Sequence, residues 1–152
     1  VLMMDSKYME LALGLAERAA HDGEVPVGAI VVDSEGTIIG RGYDQRESLN
    51  DPTAHAEVLA LRQAAKRMKS WRLNGCTLYV TLEPCTMCMG AILGARIEWL
   101  VYGARSPKSG AVESVLELAR VPGLNHKVSV RSGVEEARCA ELLRSFFTRL
   151  RQ

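Results

Sequence analysis

The chain has 152 residues, 47% hydrophobic and 24% charged, the composition of one ordinary globular domain spanning 1–152 and long enough to bury a core. Four cysteines are too few for a disulfide scaffold. No signal peptide or apolar run of membrane-spanning length is found, so a secreted disulfide fold and a membrane span are excluded and a reducing cytoplasm is expected.

The net charge of +1 is unevenly spread: residues 1–95 carry nine Lys/Arg and twelve Asp/Glu (−3), residues 96–152 ten and six (+4). A basic C-terminal third suits a polyanionic partner, and on charge alone suits a solvated helix face equally. The opening Val1-Leu2-Met3-Met4 is set aside. From Asp5 to His21, Met9, Leu13, Ala16 and Ala20 recur at helical spacing and Leu11 and Leu15 widen the stripe. This predicts an amphipathic helix, capped by Asp5 or Ser6 and ended by Gly23. Residues 25–32 form a nearly unbroken apolar run, the pattern of a strand covered on both faces. A turn at 33–36 joins it to a second strand over 37–43, making a hairpin. Gln45 to Pro52 reads as a polar loop. The next helix begins at Asp51 or Thr53, carries His55 and Glu57 in its first turn, and runs to about Met68 with Ala56, Leu59, Ala60 and Ala64 as its apolar face. A third strand covers 76–82. Pro84 suits the first turn of a helix reaching Ala95, where a missing N–H costs nothing. A strand over 98–103, a short helix over 112–119, a strand over 127–131 and a terminal helix over 134–151 complete the chain. Helix, hairpin, then alternating helix and strand predict an α/β fold, three-layer α/β/α around a mixed sheet.

The chemistry concentrates in His55-Ala-Glu57 and Pro84-Cys85-Thr-Met-Cys88. Singly, each residue has a bland explanation. A Cys-x-x-Cys alone fits a redox pair or half a structural zinc knuckle; His55 alone fits a structural histidine; Glu57 and Pro84 alone fit ordinary helix starts. Together they fit a catalytic zinc site, which keeps three protein ligands and one open position where a structural site closes with four. Both stretches open predicted helices, whose free N–H groups and partial positive charge favour thiolates. His55, Cys85 and Cys88 would hold one Zn2+ per subunit, formally neutralised by two thiolates. A water in the fourth position would titrate near pH ~7, with Glu57 as its proton carrier. His-x-Glu followed by Pro-Cys-x-x-Cys is the signature of zinc deaminases acting on nucleobases. Cys76 and Cys139 sit in apolar contexts and read as buried free thiols.

Further stretches carry a closer resemblance. Glu24-Val-Pro-Val-Gly28, Asp51-Pro-Thr-Ala-His-Ala-Glu57, Leu61-Arg62, Thr77 to Cys85, Gly103-Ala-Arg105, Lys108-x-Gly110, Pro122-Gly-x-Asn-His126 and Ser145-Phe-Phe147 resemble the bacterial tRNA-specific adenosine deaminases, from about residue 6 onward. The resemblance implies a cytidine deaminase-like fold with a five-stranded sheet, a homodimer, and conversion of the wobble adenosine to inosine in a tRNA anticodon stem-loop. It implies that Val27, Asp44, Ala54 and Pro84 line the pocket, that Ser106 and Lys108 lie near the bound nucleotide, and that Phe147 and nearby arginines approach the RNA. Flipping a base out of an anticodon loop is the cheapest route to such a pocket, and the Phe146-Phe147 pair among Arg144, Arg149 and Arg151 offers stacking and phosphate partners. Of two neighbouring phenylalanines on a helix, one is expected in the core.

Two departures stand out. The family has Asn followed by Arg where this chain has Asp44-Gln45, and often Asp where this chain has Ser106. They motivate an alternative, a deaminase of free guanine or cytosine on the same fold. A third reading, a non-catalytic zinc-stabilised RNA-binding partner, leaves Glu57 without a purpose. Apolar content at Met87, Met89, Ile92 and Leu93 exceeds what one helix face needs, which suits a homodimer.

Overall fold

The computed structural model describes residues 3–152. Five strands form one sheet: β1 (Gly28–Val32), β2 (Ile38–Tyr43), β3 (Thr77–Leu82), β4 (Trp99–Ala104) and β5 (Ser129–Arg131), in the order β2-β1-β3-β4-β5. β1 pairs antiparallel with β2 and β3, whereas β3, β4 and β5 run parallel, so the sheet is mixed as expected. The helices are α1 (Met3–His21), α2 (Arg46–Leu49), α3 (Ala56–Met68), α4 (Thr86–Gly94) and α5 (Glu136–Leu150).

The two-residue period of the strands sorts the core into two layers. Ala29, Val31, Leu78, Val80, Leu100 and Tyr102 face one way, onto α3 and α4; Ile30, Val32, Tyr79 and Val101 face the other, onto α1 and α5. The three-layer α/β/α architecture is therefore the one expected. Close backbone approach fixes α3 on the sheet. A Cβ at Gly42 would come within 2.3 Å of the Ala56 carbonyl oxygen, and one at Gly40 within 2.2 Å of that of Ala60. Alanines spaced four apart on the helix and glycines two apart on the strand thus hold the start of α3, which carries His55 and Glu57, against β2.

Several local expectations are corrected. α1 begins at Met3, ahead of the expected start, while Val1 and Leu2 lie outside the described residues. Asp5 is no surface cap: it is fully buried, accepts a hydrogen bond from Tyr79 Oη at 2.8 Å and holds Arg131 in an ion pair at 2.6 Å. The buried stripe of α1 is Tyr8, Met9, Ala12, Leu13, Ala16 and Ala19, leaving Leu11 46% exposed and Ala20 half-buried. β1 starts three residues late, because Pro26 has no N–H to give a ladder. The expected polar loop after β2 contains the short helix α2, whose first free N–H groups, those of Glu47 and Ser48, donate to the distant Glu24 carboxylate at 3.1 and 2.8 Å. The expected helix over 112–119 is a run of turns and a 3₁₀ turn at Leu118–Arg120, since Val112, Glu113 and Ser114 give their N–H groups to Glu83 instead of to a helix.

Candidate active site and metal centre

His55 and Cys85 are the N-cap residues of α3 and α4, each in extended backbone, and neither caps its own helix with a side-chain hydrogen bond. α3 thus starts at Ala56, three or more residues after the expected Thr53 or Asp51, so that His55 precedes the first turn, and Pro84 likewise precedes the N-cap of α4 rather than entering its first turn. Asp51 and Thr53 form a local turn ahead of α3, with Thr53 N and Oγ1 both donating to Asp51 Oδ1. An N-cap side chain and the side chain three residues on lie over the same helix end. Cys85 and Cys88 occupy those two places on α4, and the parallel feed of β3 into α4 brings them to the start of α3. His55 Nδ1 is 3.7 Å from Cys85 Sγ and 3.5 Å from Cys88 Sγ.

The donor set fits a tetrahedral zinc ion. Bond lengths of about 2.3 Å to sulfur and about 2.0 Å to nitrogen at a tetrahedral angle separate S from N by about 3.5 Å. Among the described residues, His55, Cys85 and Cys88 are the group of His, Cys and acidic side chains whose ligand atoms converge, all within 4.8 Å of one another. Cys76 and Cys139 are buried free thiols away from it.

The electrostatics point the same way. Cys85 is held down at about 3, first by the hydrogen bond from Cys88 and then by His55. Cys88 is pushed far up because it donates to the Cys85 thiolate and is buried. A divalent cation bound here would replace the thiol protons. The His55 pKa is raised chiefly by its bond to Cys85. Glu57, only 4% exposed, is pushed up to about 7 by burial and lies within reach of Cys88. A carboxyl near neutrality suits exchange of a proton with a reacting group.

These residues share a cavity of about 140 Å³ lined by Val25, Val27, Asp44, Arg46, His55, Ala56, Glu57, Leu82, Glu83, Cys85 and Ser109. That is below the roughly 300 Å³ of drug-sized sites, so it takes a small group such as a single base. Of the expected residues, Val27, Asp44, His55, Glu57 and Cys85 line it directly. Ala54 and Pro84 are buried in the backbone around it. The Ala54 carbonyl accepts from Gln45 N at 3.0 Å and the Pro84 carbonyl from Ala111 N at 2.8 Å. Ser106 is half-buried and Lys108 exposed, both on the loop that follows β4. Phe147 lies on α5 and is not in the cavity wall; it is 39% exposed while Phe146 is buried, as expected of neighbours on a helix.

Asp44 is engaged within its own chain. Its carboxylate takes Arg46 Nη2 at 2.8 Å, Arg46 Nε at 3.1 and 3.2 Å, and the Arg46 backbone N–H at 3.1 Å. The cavity wall at the Asp44 departure is thus an Asp–Arg pair.

Glu83 was missed as a functional residue. It is 2% exposed; its carboxylate accepts from the N–H groups of Ser106, Val112, Glu113 and Ser114 and from Ser114 Oγ. A Cβ at Gly110 would fall 2.3 Å from the Glu83 carboxyl carbon. Glu83 therefore ties the loop carrying Ser106, Lys108 and Ser109 to the strand end that delivers Cys85. Its place just before Pro84-Cys85 was visible in the sequence, but nothing there shows which N–H groups it gathers.

Residues 3–151 match the family described as MafB19-like deaminase. A tRNA-specific adenosine deaminase of Haemophilus influenzae is 48% identical over 148 residues, covering 97% of this chain and 86% of that protein. A solved structure from studies of A-to-I editing by tRNA:A34 deaminases at the wobble position of transfer RNA superposes with a TM-score of 0.87 at 47% identity, over 90% of this chain and 99% of that one. A guanine deaminase from Nitrosomonas europaea superposes with a TM-score of 0.78 at 28% identity, over 94% and 84%. With near-complete coverage and nearly half of its residues identical, the chain belongs to the deaminases, in the family of the tRNA-specific adenosine deaminases.

Proposed function

We propose that this chain is one catalytic domain of 152 residues that converts adenosine to inosine at the wobble position of a tRNA anticodon loop, with release of ammonia and one zinc ion per subunit. The observation that carries the reading is the convergence of His55, Cys85 and Cys88 on one cavity with the buried Glu57. Zinc held by those three ligands would supply Lewis acidity and an acidified water. Glu57 would take one proton from the water as its oxygen bonds to the ring carbon and give it to the ring nitrogen, then carry the remaining hydroxyl proton to the exocyclic nitrogen, so that the carbon–nitrogen bond breaks, ammonia leaves and the oxygen stays as a carbonyl. Val27 forms an apolar wall for the flipped base, with Ala54 and Pro84 buried behind the cavity lining. Asp44 orients Arg46 at the rim. Ser106 and Lys108 meet the ribose and phosphate, and Phe147 stacks on a neighbouring base with arginines of α5 alongside.

No helix among the described residues is long and apolar enough to cross a membrane; a cytoplasmic site follows from the tRNA substrate and from thiolates that need reducing conditions. The chain works as a homodimer, supported by the groove between α3 and α4, where Val58, Leu61, Ala65, Trp71, Ala91 and Ala95, with Arg62 among them, line an open and mostly apolar surface. The test is ammonia release from an anticodon stem-loop before chelation, after chelation and after zinc is restored. Loss and recovery are expected, and activity indifferent to chelation would overturn the zinc assignment. A deaminase of free guanine is the second reading, favoured by the likeness to the Nitrosomonas europaea guanine deaminase.

A further inference from the structure

A single base fills the cavity, so the sugar of that nucleotide sits at its mouth. Of the residues in the cavity wall, Ser109 alone is exposed; the rest are buried or half-buried. Ser109 therefore stands where the sugar does. Ser106, expected near the bound nucleotide, is not in the wall; its Oγ lies 3.0 Å from Ser109 Oγ instead. The turn that carries Ser109 is fixed to the metal centre. Ser106 N–H donates to Glu83 at 3.0 Å and Ala111 N–H to the Pro84 carbonyl at 2.8 Å. Glu83 and Pro84 directly precede Cys85, so the same two residues set the position of a metal ligand and of the Ser109 hydroxyl.

The hydroxyl pair is not needed to close the turn, because Gly110 N–H already does so by donating to the Ser106 carbonyl at 2.8 Å. The other polar side chains of the wall are committed. Asp44 is taken up by Arg46, and Glu83 by the loop N–H groups and Ser114. His55 and Cys85 face the metal position, and Glu57 is buried beside them. Arg46 is a cation, whose N–H groups suit a phosphate better than a neutral hydroxyl. A serine hydroxyl has one proton to give and two lone pairs. If Ser106 donates to Ser109, Ser109 keeps its own proton; if Ser109 donates, it keeps its lone pairs. A ribose 2′-hydroxyl both donates and accepts, so it matches either arrangement, and it is what distinguishes RNA from DNA at a binding site.

We infer that Ser109 binds the 2′-hydroxyl of the reacting nucleotide, with Ser106 orienting the Ser109 hydroxyl. The inference rests on the tRNA reading above and adds to it the residue that tells a ribonucleotide from a deoxyribonucleotide at the mouth. Ser109 is a specificity residue that touches substrate away from the reacting atoms, and Ser106 is a positioning residue that acts through it.

The test measures ammonia release by the zinc-loaded chain from two anticodon stem-loops that differ in one atom, with adenosine or 2′-deoxyadenosine at the wobble position. Wild type is expected to prefer the ribonucleotide by roughly 2- to 10-fold in kcat/KM, the worth of one neutral hydrogen bond. Ser109→Ala should lose that factor on the ribonucleotide, through KM rather than kcat, and match wild type on the deoxyribonucleotide. Ser109→Thr keeps the hydroxyl and should restore the preference, while Ser106→Ala should weaken it. A wild type without preference, a preference that survives Ser109→Ala, or an equal loss on both substrates, as from a merely structural role, would overturn the inference. Failure of wild type to deaminate either stem-loop would instead overturn the proposed function, an outcome read without any variant.

Discussion

At the scale of single residues, the site is built from two N-caps that decline to cap. His55 and Cys85 turn their side chains toward each other, which leaves the helix-end N–H groups to stabilise thiolate charge. Glu57→Gln keeps size and helix but cannot carry a proton; turnover is expected to fall by at least ~10²-fold with metal content unchanged. Near-normal turnover in that variant would mean another group moves the proton. Glu83 makes a prediction about stability. Its burial favours the neutral form, but Ser114 and the surrounding N–H groups outweigh that and hold the carboxyl at about 2, below the ordinary 4.5. A depressed carboxylate stabilises the fold fully above its unfolded value and loses that contribution as pH falls, here between about 4.5 and 2, worth about 3 kcal/mol in all. Denaturant melts across this window should show the acid loss in wild type and a much flatter profile in Glu83→Gln.

At the scale of elements, strands and long helices were legible because their apolar periods are set by burial alone. The alternation of Leu78, Tyr79 and Val80 across two layers is one example. What was not legible depended on a carboxylate far away in sequence. α2 exists because Glu24 accepts its first N–H groups, and residues 112–114 fail to form a helix because Glu83 takes theirs. No local propensity encodes either. The convergence of His55, Cys85 and Cys88 was legible from spacing, whereas Arg46 and Ser109 in the cavity wall were not, since each reaches it only through the loop it sits on. On α5 the two phenylalanines should separate cleanly. Phe146→Ala, at a buried position, is expected to cost about 3 kcal/mol of stability. Phe147→Ala should leave the melting temperature almost unmoved and weaken stem-loop binding by about 1–3 kcal/mol, the range for a lost base stack. Equal effects on stability would refute the assignment of faces.

At the scale of the whole molecule, the sheet gathers β1, β3 and the starts of α3 and α4 around one small cavity, while the basic α5 and the cationic end of α3 lie beyond it. An apolar groove beside α4 is left open to solvent in the single chain. Sedimentation at micromolar concentration should therefore give a dimer, and a monomer would remove the homodimer from the reading. The most direct measurement is the rate of ammonia release, compared at equal enzyme concentration for an anticodon stem-loop with adenosine at the wobble position, for free adenosine, and for free guanine and cytosine, at low and high salt. The expected result is efficient release from the stem-loop alone, falling steeply as salt rises, since RNA phosphate contacts are salt-dependent. Salt-independent deamination of free guanine or cytosine, more efficient than that of the stem-loop, would contradict the tRNA assignment.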